Sequence, residues 1–270
     1  MSIGVNCRWA LVIAQTMVAM GFLFIARDAK SDGPTRPDVA KSGITFASAD
    51  IRAIQADDVS NPGMLWLTRG EALWNEIAGA EAKTCAQCHG AASTSMKGVA
   101  NRYPQISMQT KSLINLEGRI NLCRGKHQAA SPLKYESAEL VALTVYVAHQ
   151  SRGLPGQIVI NDNNREHFNR GAALYQQRMG QMNLACTHCH DLNAGKTLLA
   201  EKISEGHPNA YPTYRLEWQG VGSLHRRFRS CMAGVRAAPF APGSDQYLAL
   251  ELYLAWRAGG LAIETPGVRR

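Results

Sequence analysis

The pentapeptide CxxCH occurs twice in this chain, as Cys85-Ala86-Gln87-Cys88-His89 and as Cys186-Thr187-His188-Cys189-His190. The two thiols of such a motif can form thioether bonds to a haem, and its imidazole can bind the iron. A structural zinc site would draw four ligands from each segment, and a thioredoxin-type CxxC has no use for the adjacent His. Two covalently bound haem c groups are therefore expected, on Cys85 and Cys88 and on Cys186 and Cys189, with His89 and His190 as proximal iron ligands.

The motifs lie inside a longer duplication. Arg69-Gly70-Glu71-Ala72-Leu73-Trp74 matches Arg170-Gly171-Ala172-Ala173-Leu174-Tyr175 at an offset of 101 (170 − 69), the same as Cys85 to Cys186. Tyr103-Pro104 matches Tyr211-Pro212 at 108, as do Leu116, Arg119 and Cys123 with Leu224, Arg227 and Cys231. Ala142, Leu143 and Tyr146 match Ala249, Leu250 and Tyr253 at 107. The second unit thus carries seven extra residues (108 − 101) after its haem motif. A period near 100 residues is the size of a small domain rather than of a solenoid repeat. Residues 62–81, 165–179 and 245–256 place apolar side chains at helical spacing, with Ser244-Asp245 as an N-cap and Gly259-Gly260 as a stop. No stretch sustains the alternation of a strand. The expected fold is mainly α: two tandem cytochrome c-type haem domains, residues 61–155 and 156–270, related by internal duplication.

Ahead of them, Arg8 and the apolar run 9–26 read as an export signal, residues 1–26, or as a retained anchor. Residues 27–60 form an N-terminal extension whose polar part, 30–43, has the composition of a flexible lead. Haem attachment to CxxCH takes place outside the cytoplasm in bacteria, so the periplasm is the expected location. The net charge is +8, and His225-Arg226-Arg227-Phe228-Arg229 concentrates part of it just before Cys231. In an exported haem protein such a cluster fits a small anion better than a nucleic acid, and no nucleic-acid partner is expected. A solvated helix face is the plain alternative.

Of seven cysteines, Cys7 lies beside the apolar stretch and four belong to the CxxCH motifs, leaving Cys123 and Cys231. A disulfide between them would have to bridge equivalent points of two separate domains. Met96, Met108 and Met232 could serve as distal iron ligands, but neither first-unit Met recurs in the second unit. The cysteines do recur, which points to thiolate ligation of both irons by Cys123 and Cys231. Arg119 and Arg227 each stand four residues before the cysteine, on the same helix face, where a guanidinium favours thiolate. Arg119 could equally pair with a haem propionate.

The chain resembles the SoxA family, the dihaem subunit of the SoxAX cytochrome complex of bacterial thiosulfate oxidation. The likeness is carried by Cys186–His190, by Gly206-His207-Pro208-Asn209-Ala210-Tyr211-Pro212-x-Tyr214-Arg215, by Gln219-Gly220-x-Gly222-Ser223-Leu224-His225-Arg226-Arg227, by Cys231 and by Leu250-Glu251-Leu252-Tyr253-Leu254-Ala255-Trp256-Arg257. The resemblance implies an oxidising S-transferase that joins thiosulfate to a carrier cysteine of SoxYZ. Released electrons would pass to a SoxX-type monohaem cytochrome, the heterodimer partner. It further implies that Cys231 is both distal ligand and catalytic cysteine, often as a persulfide, and that Arg227 holds the substrate anion. The competing functions are a dihaem electron carrier, a thiosulfate dehydrogenase forming tetrathionate, and a dihaem peroxidase.

Overall fold

The computed structural model describes residues 39–270, so the 1–26 segment, Cys7 and most of the 30–43 lead lie outside the described residues. Ten α-helices are described, besides shorter 3-10 and π turns: α1 Ala49–Ala56, α2 Met64–Asn75, α3 Cys85–His89, α4 Ala92–Ser95, α5 Leu116–Cys123, α6 Ala138–His149, α7 Arg165–Gln176, α8 Cys186–His190, α9 Leu224–Gly234 and α10 Asp245–Arg257. The strands are short: β1 Gln105–Ile106, β2 Leu113–Ile114, β3 Thr197–Leu198, β4 Glu201–Lys202, β5 Thr213–Arg215, β6 Gly220–Gly222 and β7 Gly267–Arg269.

The helices begin where side chains can satisfy their free N–H groups. The α10 cap is Ser244, whose hydroxyl accepts from the Tyr247 N–H at 3.4 Å. Ser223 caps α9, Asn115 caps α5 and Ser137 caps α6 in the same way. Helix α6 is buried on nearly every side from Leu140 to Ala148, which matches the mostly apolar composition of that stretch.

Two helix pairs organise the chain. Helix α2 crosses α6, and α7 crosses α10. Both crossings bring backbones into close approach through a glycine: a Cβ on Gly70 would overlap the Ala142 carbonyl oxygen, and one on Gly171 the Ala249 carbonyl oxygen. After each first helix the chain reverses through a single antiparallel bridge, Ala78 with Lys83 and Met179 with Leu184, and enters the CxxCH helix. This reversal ends α2 at Asn75 and α7 at Gln176, short of the helical spacing that runs to 81 and 179. Tyr103-Pro104 and Tyr211-Pro212 are both cis.

The small sheet has the order β6-β5-β7, with β5 antiparallel to β6 and parallel to β7. Its apolar face, Tyr214, Val221 and Val268, packs with Ile51 of α1 and with Val141 and Val145 of α6. The extension is therefore ordered helix from Gly43 onward, held against the C-terminal strand. Three-residue strands are too short to show alternation, so the sequence pattern misses them. Among the described residues no helix is long and apolar enough to cross a membrane.

Candidate functional site

Each CxxCH helix presents its two thiols three residues apart, on one face. Helix α3 is fixed by a reciprocal cap: Gln87 N donates to Thr84 Oγ1 at 3.0 Å and Thr84 N to Gln87 Oε1 at 2.8 Å. Helix α8 substitutes His188, whose Nδ1 accepts from Ala185 N at 3.0 Å. Behind each motif an aromatic donor clamps the following residue. Trp74 Nε1 donates to Gly90 O at 3.1 Å, and Tyr175 OH to Asp191 Oδ1 at 2.7 Å. The positions correspond at the offset of 101.

In the first half, Cys123 at the end of α5 neighbours Cys85, and Arg119 neighbours His89 and Tyr103. Burial pushes the Cys85 thiol up, with Arg124 opposing and Cys123 adding. Desolvation, then Arg119 and His127, holds the His89 imidazole down. Trp74, Ala92, Leu116, Val147 and Ala148 form the apolar cluster around Cys85.

The second half is more tightly built. His190 Nδ1 lies 2.7 Å from the Ser204 carbonyl oxygen. A carbonyl only accepts, so Nδ1 carries the proton and Nε2 keeps its lone pair for a metal. Gly206, at φ +75°, lies against the same ring; a Cβ there would come within 2.9 Å of His190 Cγ. Across the site, the Cys231 thiol of α9 faces His190. Burial raises the Cys231 thiol, but Arg227, His190 and Arg215 outweigh it and bring its pKa to about 7. Burial pushes Cys186, by contrast, to about 12, and Cys231 adds to the rise.

The two half-sites hold different charges. Arg215, at the end of β5, faces Cys231 together with Arg227, and Glu217 pairs with both arginines. The corresponding first-half positions, 108 earlier, are Ser107 and Gln109. The basic run 225–229 does not act as one cluster. Successive helical residues point about 100° apart, and only Arg227 of this run turns to Cys231. His225 is buried with its Nε2 2.9 Å from Glu251, Arg226 stacks 4.5 Å over Trp218, and Arg229 faces solvent. Cys123 and Cys231 are free thiols, not a disulfide. Met108 is exposed and Met232 accepts from Tyr247 OH at 3.3 Å.

Sequence reasoning assigned no role to Arg215, Glu217, Ser204 or Gly206. Arg215 and Gly206 stand inside the segments that carry the family resemblance, and Arg215 and Glu217 are absent from the first unit. That difference between repeats was the available signal.

Two thiols on one helix, an imidazole with its Nδ1 proton engaged, a facing thiol and an apolar surround fit a haem c. The fold and this donor set define a c-type cytochrome, with haem bound covalently. A family profile described as "SoxA/TsdA, cytochrome c domain" matches residues 69–155. The L-cysteine S-thiosulfotransferase subunit SoxA of Pseudaminobacter salicylatoxidans is 42% identical over 234 residues, 86% of this chain and 82% of that protein. The same subunit of Rhodovulum sulfidophilum is 36% identical, over 87% and 82%. The crystal structure of SoxXA from P. pantotrophus contains a chain that superposes with a TM-score of 0.84 at 32% identity, covering 87% of this chain and 89% of that one. The chain belongs to the SoxA family.

Proposed function

We propose that this chain is the SoxA-type, haem-bearing subunit of an L-cysteine S-thiosulfotransferase whose partner subunit also carries haem. It would join thiosulfate to a cysteine of a SoxYZ-type carrier while a SoxX-type monohaem cytochrome, its heterodimer partner, takes up the electrons. The observation that carries this reading is the meeting of Cys231, His190, Arg227 and Arg215 in the second half. The overall reaction converts a carrier thiol and thiosulfate into a carrier S–S bond, one proton and two electrons. The haem, when bound, supplies the one-electron centre.

The chain's own residues do the rest. Arg227 and Arg215 attract the dianion and orient its sulfur toward Cys231. Cys231, held near neutrality in pKa, offers a thiolate both to iron and to sulfur exchange. The Ser204 carbonyl accepts the hydrogen bond of His190 Nδ1–H, so Nε2 would be the nitrogen that holds the iron.

In the same reading the chain carries two haems. Cys85, Cys88, His89 and Cys123 would hold one, and Cys186, Cys189, His190 and Cys231 the other. The two haem domains are taken as 61–155 and 156–270, and the site of action as the periplasm. The test is steady-state assay with thiosulfate and the partner cytochrome, with and without SoxYZ. Electron release that requires SoxYZ, and a mass gain on the carrier cysteine, are expected. Carrier-independent formation of tetrathionate would replace this function with that of a thiosulfate dehydrogenase.

A further inference from the structure

The second half-site holds an anion of its own. Glu217 Oε1 lies 2.8 Å from Arg215 Nε and 3.8 Å from Arg227 Nη1. This one oxygen therefore sits between the two guanidiniums that face Cys231. Arg215 is buried, with a side chain 6% exposed, and Arg227 is 33% exposed, but Glu217 is 48% exposed. Arg215 is thus walled in and Arg227 partly open, while the carboxylate can swing into water. Glu201 ion-pairs with Arg215 at 3.8 Å and acts on Arg227 only from longer range, so it trims their charge without occupying the position between the two.

The backbone under Glu217 is pinned. It belongs to the single turn Leu216–Trp218, closed by Gln219 at φ +49°. Trp218 carries the guanidinium of Arg226 over its ring at 4.5 Å and that of Arg215 at 5.4 Å. Movement of Glu217 is consequently a side-chain event. The first half offers no counterpart, since Ser107 and Gln109 replace Arg215 and Glu217.

We propose that Glu217 is a gating carboxylate: it occupies the anion seat between Arg215 and Arg227 in the resting chain and is displaced by the incoming dianion, which sets the minimum charge an anion must bring to enter. A dianion replaces one negative charge by two opposite a pair of guanidiniums and gains Coulomb energy. Both anions lose hydration, but a monoanion only exchanges like for like and has no Coulomb gain to offset that loss. Chloride is excluded by this device where thiosulfate is admitted. The inference rests on the anion-binding role of Arg215 and Arg227 proposed above.

The test measures binding without turnover. The oxidised haem-loaded complex with its partner cytochrome, and no carrier, is titrated calorimetrically with sodium sulfate as an inert dianion at constant ionic strength. Glu217→Gln removes the competing charge, so sulfate affinity should rise by about threefold to fivefold, the scale of a half-exposed ion pair. Chloride should then compete with sulfate in the variant at concentrations that leave the wild type unaffected. Weaker or unchanged sulfate binding in Glu217→Gln would overturn the gate, making Glu217 a strut for the arginines or a bystander. Equal binding by the wild type and Arg227→Ala would remove the anion seat itself, and with it both the gate and the anion site of the proposed function.

Discussion

Glu117 provides the sharpest quantitative test of how the two halves are joined. It lies in the first turn of α5, is only 8% exposed, and faces Glu251 of α10, His225 of α9 and Glu136. Asn115 Nδ2 donates to Glu251 Oε2 at 3.2 Å, and Tyr135 OH donates to Asn115 Oδ1 at 3.0 Å. Burial and then the neighbouring Glu251 raise the Glu117 carboxyl from 4.5 to about 7, against the pull of His225. The proton is thus held more tightly in the folded chain than in the unfolded one. By linkage, the stabilising contribution is complete below pH 4.5 and is lost as the pH rises through about 7. Each pKa unit corresponds to about 1.4 kcal/mol, so the loss between pH 4.5 and 8 is roughly 3 kcal/mol. Glu117→Gln keeps the shape of the protonated acid and cannot ionise. Urea unfolding of wild type and variant, with haems attached, should give equal stabilities at pH 4.5. At pH 8 the variant should be more stable by up to roughly 3 kcal/mol. Parallel pH dependences in the two proteins, or a variant weaker at pH 8, would refute the argument. Comparing the two proteins cancels the titration of groups that the substitution leaves unchanged.

Three further outcomes are expected. Arg227→Ala should lower kcat/KM for thiosulfate by about tenfold to a hundredfold, the scale of a lost hydrogen bond to a charged group, with Lys restoring only part because it lacks the planar fork; unchanged kinetics would show that Arg227 does not hold the substrate. Gly206→Ala combines a φ of +75° with a Cβ 2.9 Å from His190 Cγ, and should destabilise the chain by about 2 kcal/mol. It should also alter the optical spectrum of the second haem, and a silent variant in both thermal unfolding and spectrum would contradict the packing. Cys231→Ala should abolish thiosulfate-dependent modification of the carrier, whereas Cys123→Ala should change only the spectrum and potential of the first haem and leave substantial turnover. Equal loss in both would assign the first haem to the obligatory electron path.

What could be read from sequence was local chemistry. CxxCH spells out its two attachment points and its imidazole within five residues, so no fold is needed to recognise it. Helices α7 and α10 announce themselves by apolar spacing, and Ser244 by its place one residue before a helix start, because caps and amphipathic faces depend on neighbours three or four positions away. The pairing of Arg227 with Cys231 is of the same kind, one helical turn apart. The repeat offsets matched Gly70 with Gly171 and Ala142 with Ala249, but only the structure shows that each glycine packs on its alanine at a helix crossing.

Tertiary structure decided the rest. Arg215 comes to Cys231 only because β5 is clamped between β6 and β7, a sheet whose last strand lies more than 50 residues further along the chain. Glu217 follows from the turn after β5, and Gly206 from the loop that carries the Ser204 carbonyl to His190. The basic run beside Cys231 misled for the converse reason. Adjacent residues on a helix share a stretch of sequence but not a direction, so His225 went to a buried carboxylate and Arg226 to an indole, leaving Arg227 facing the thiol. A linear run records how much charge is nearby. Only the packing of α9 on its neighbours determines which charge the sulfur meets.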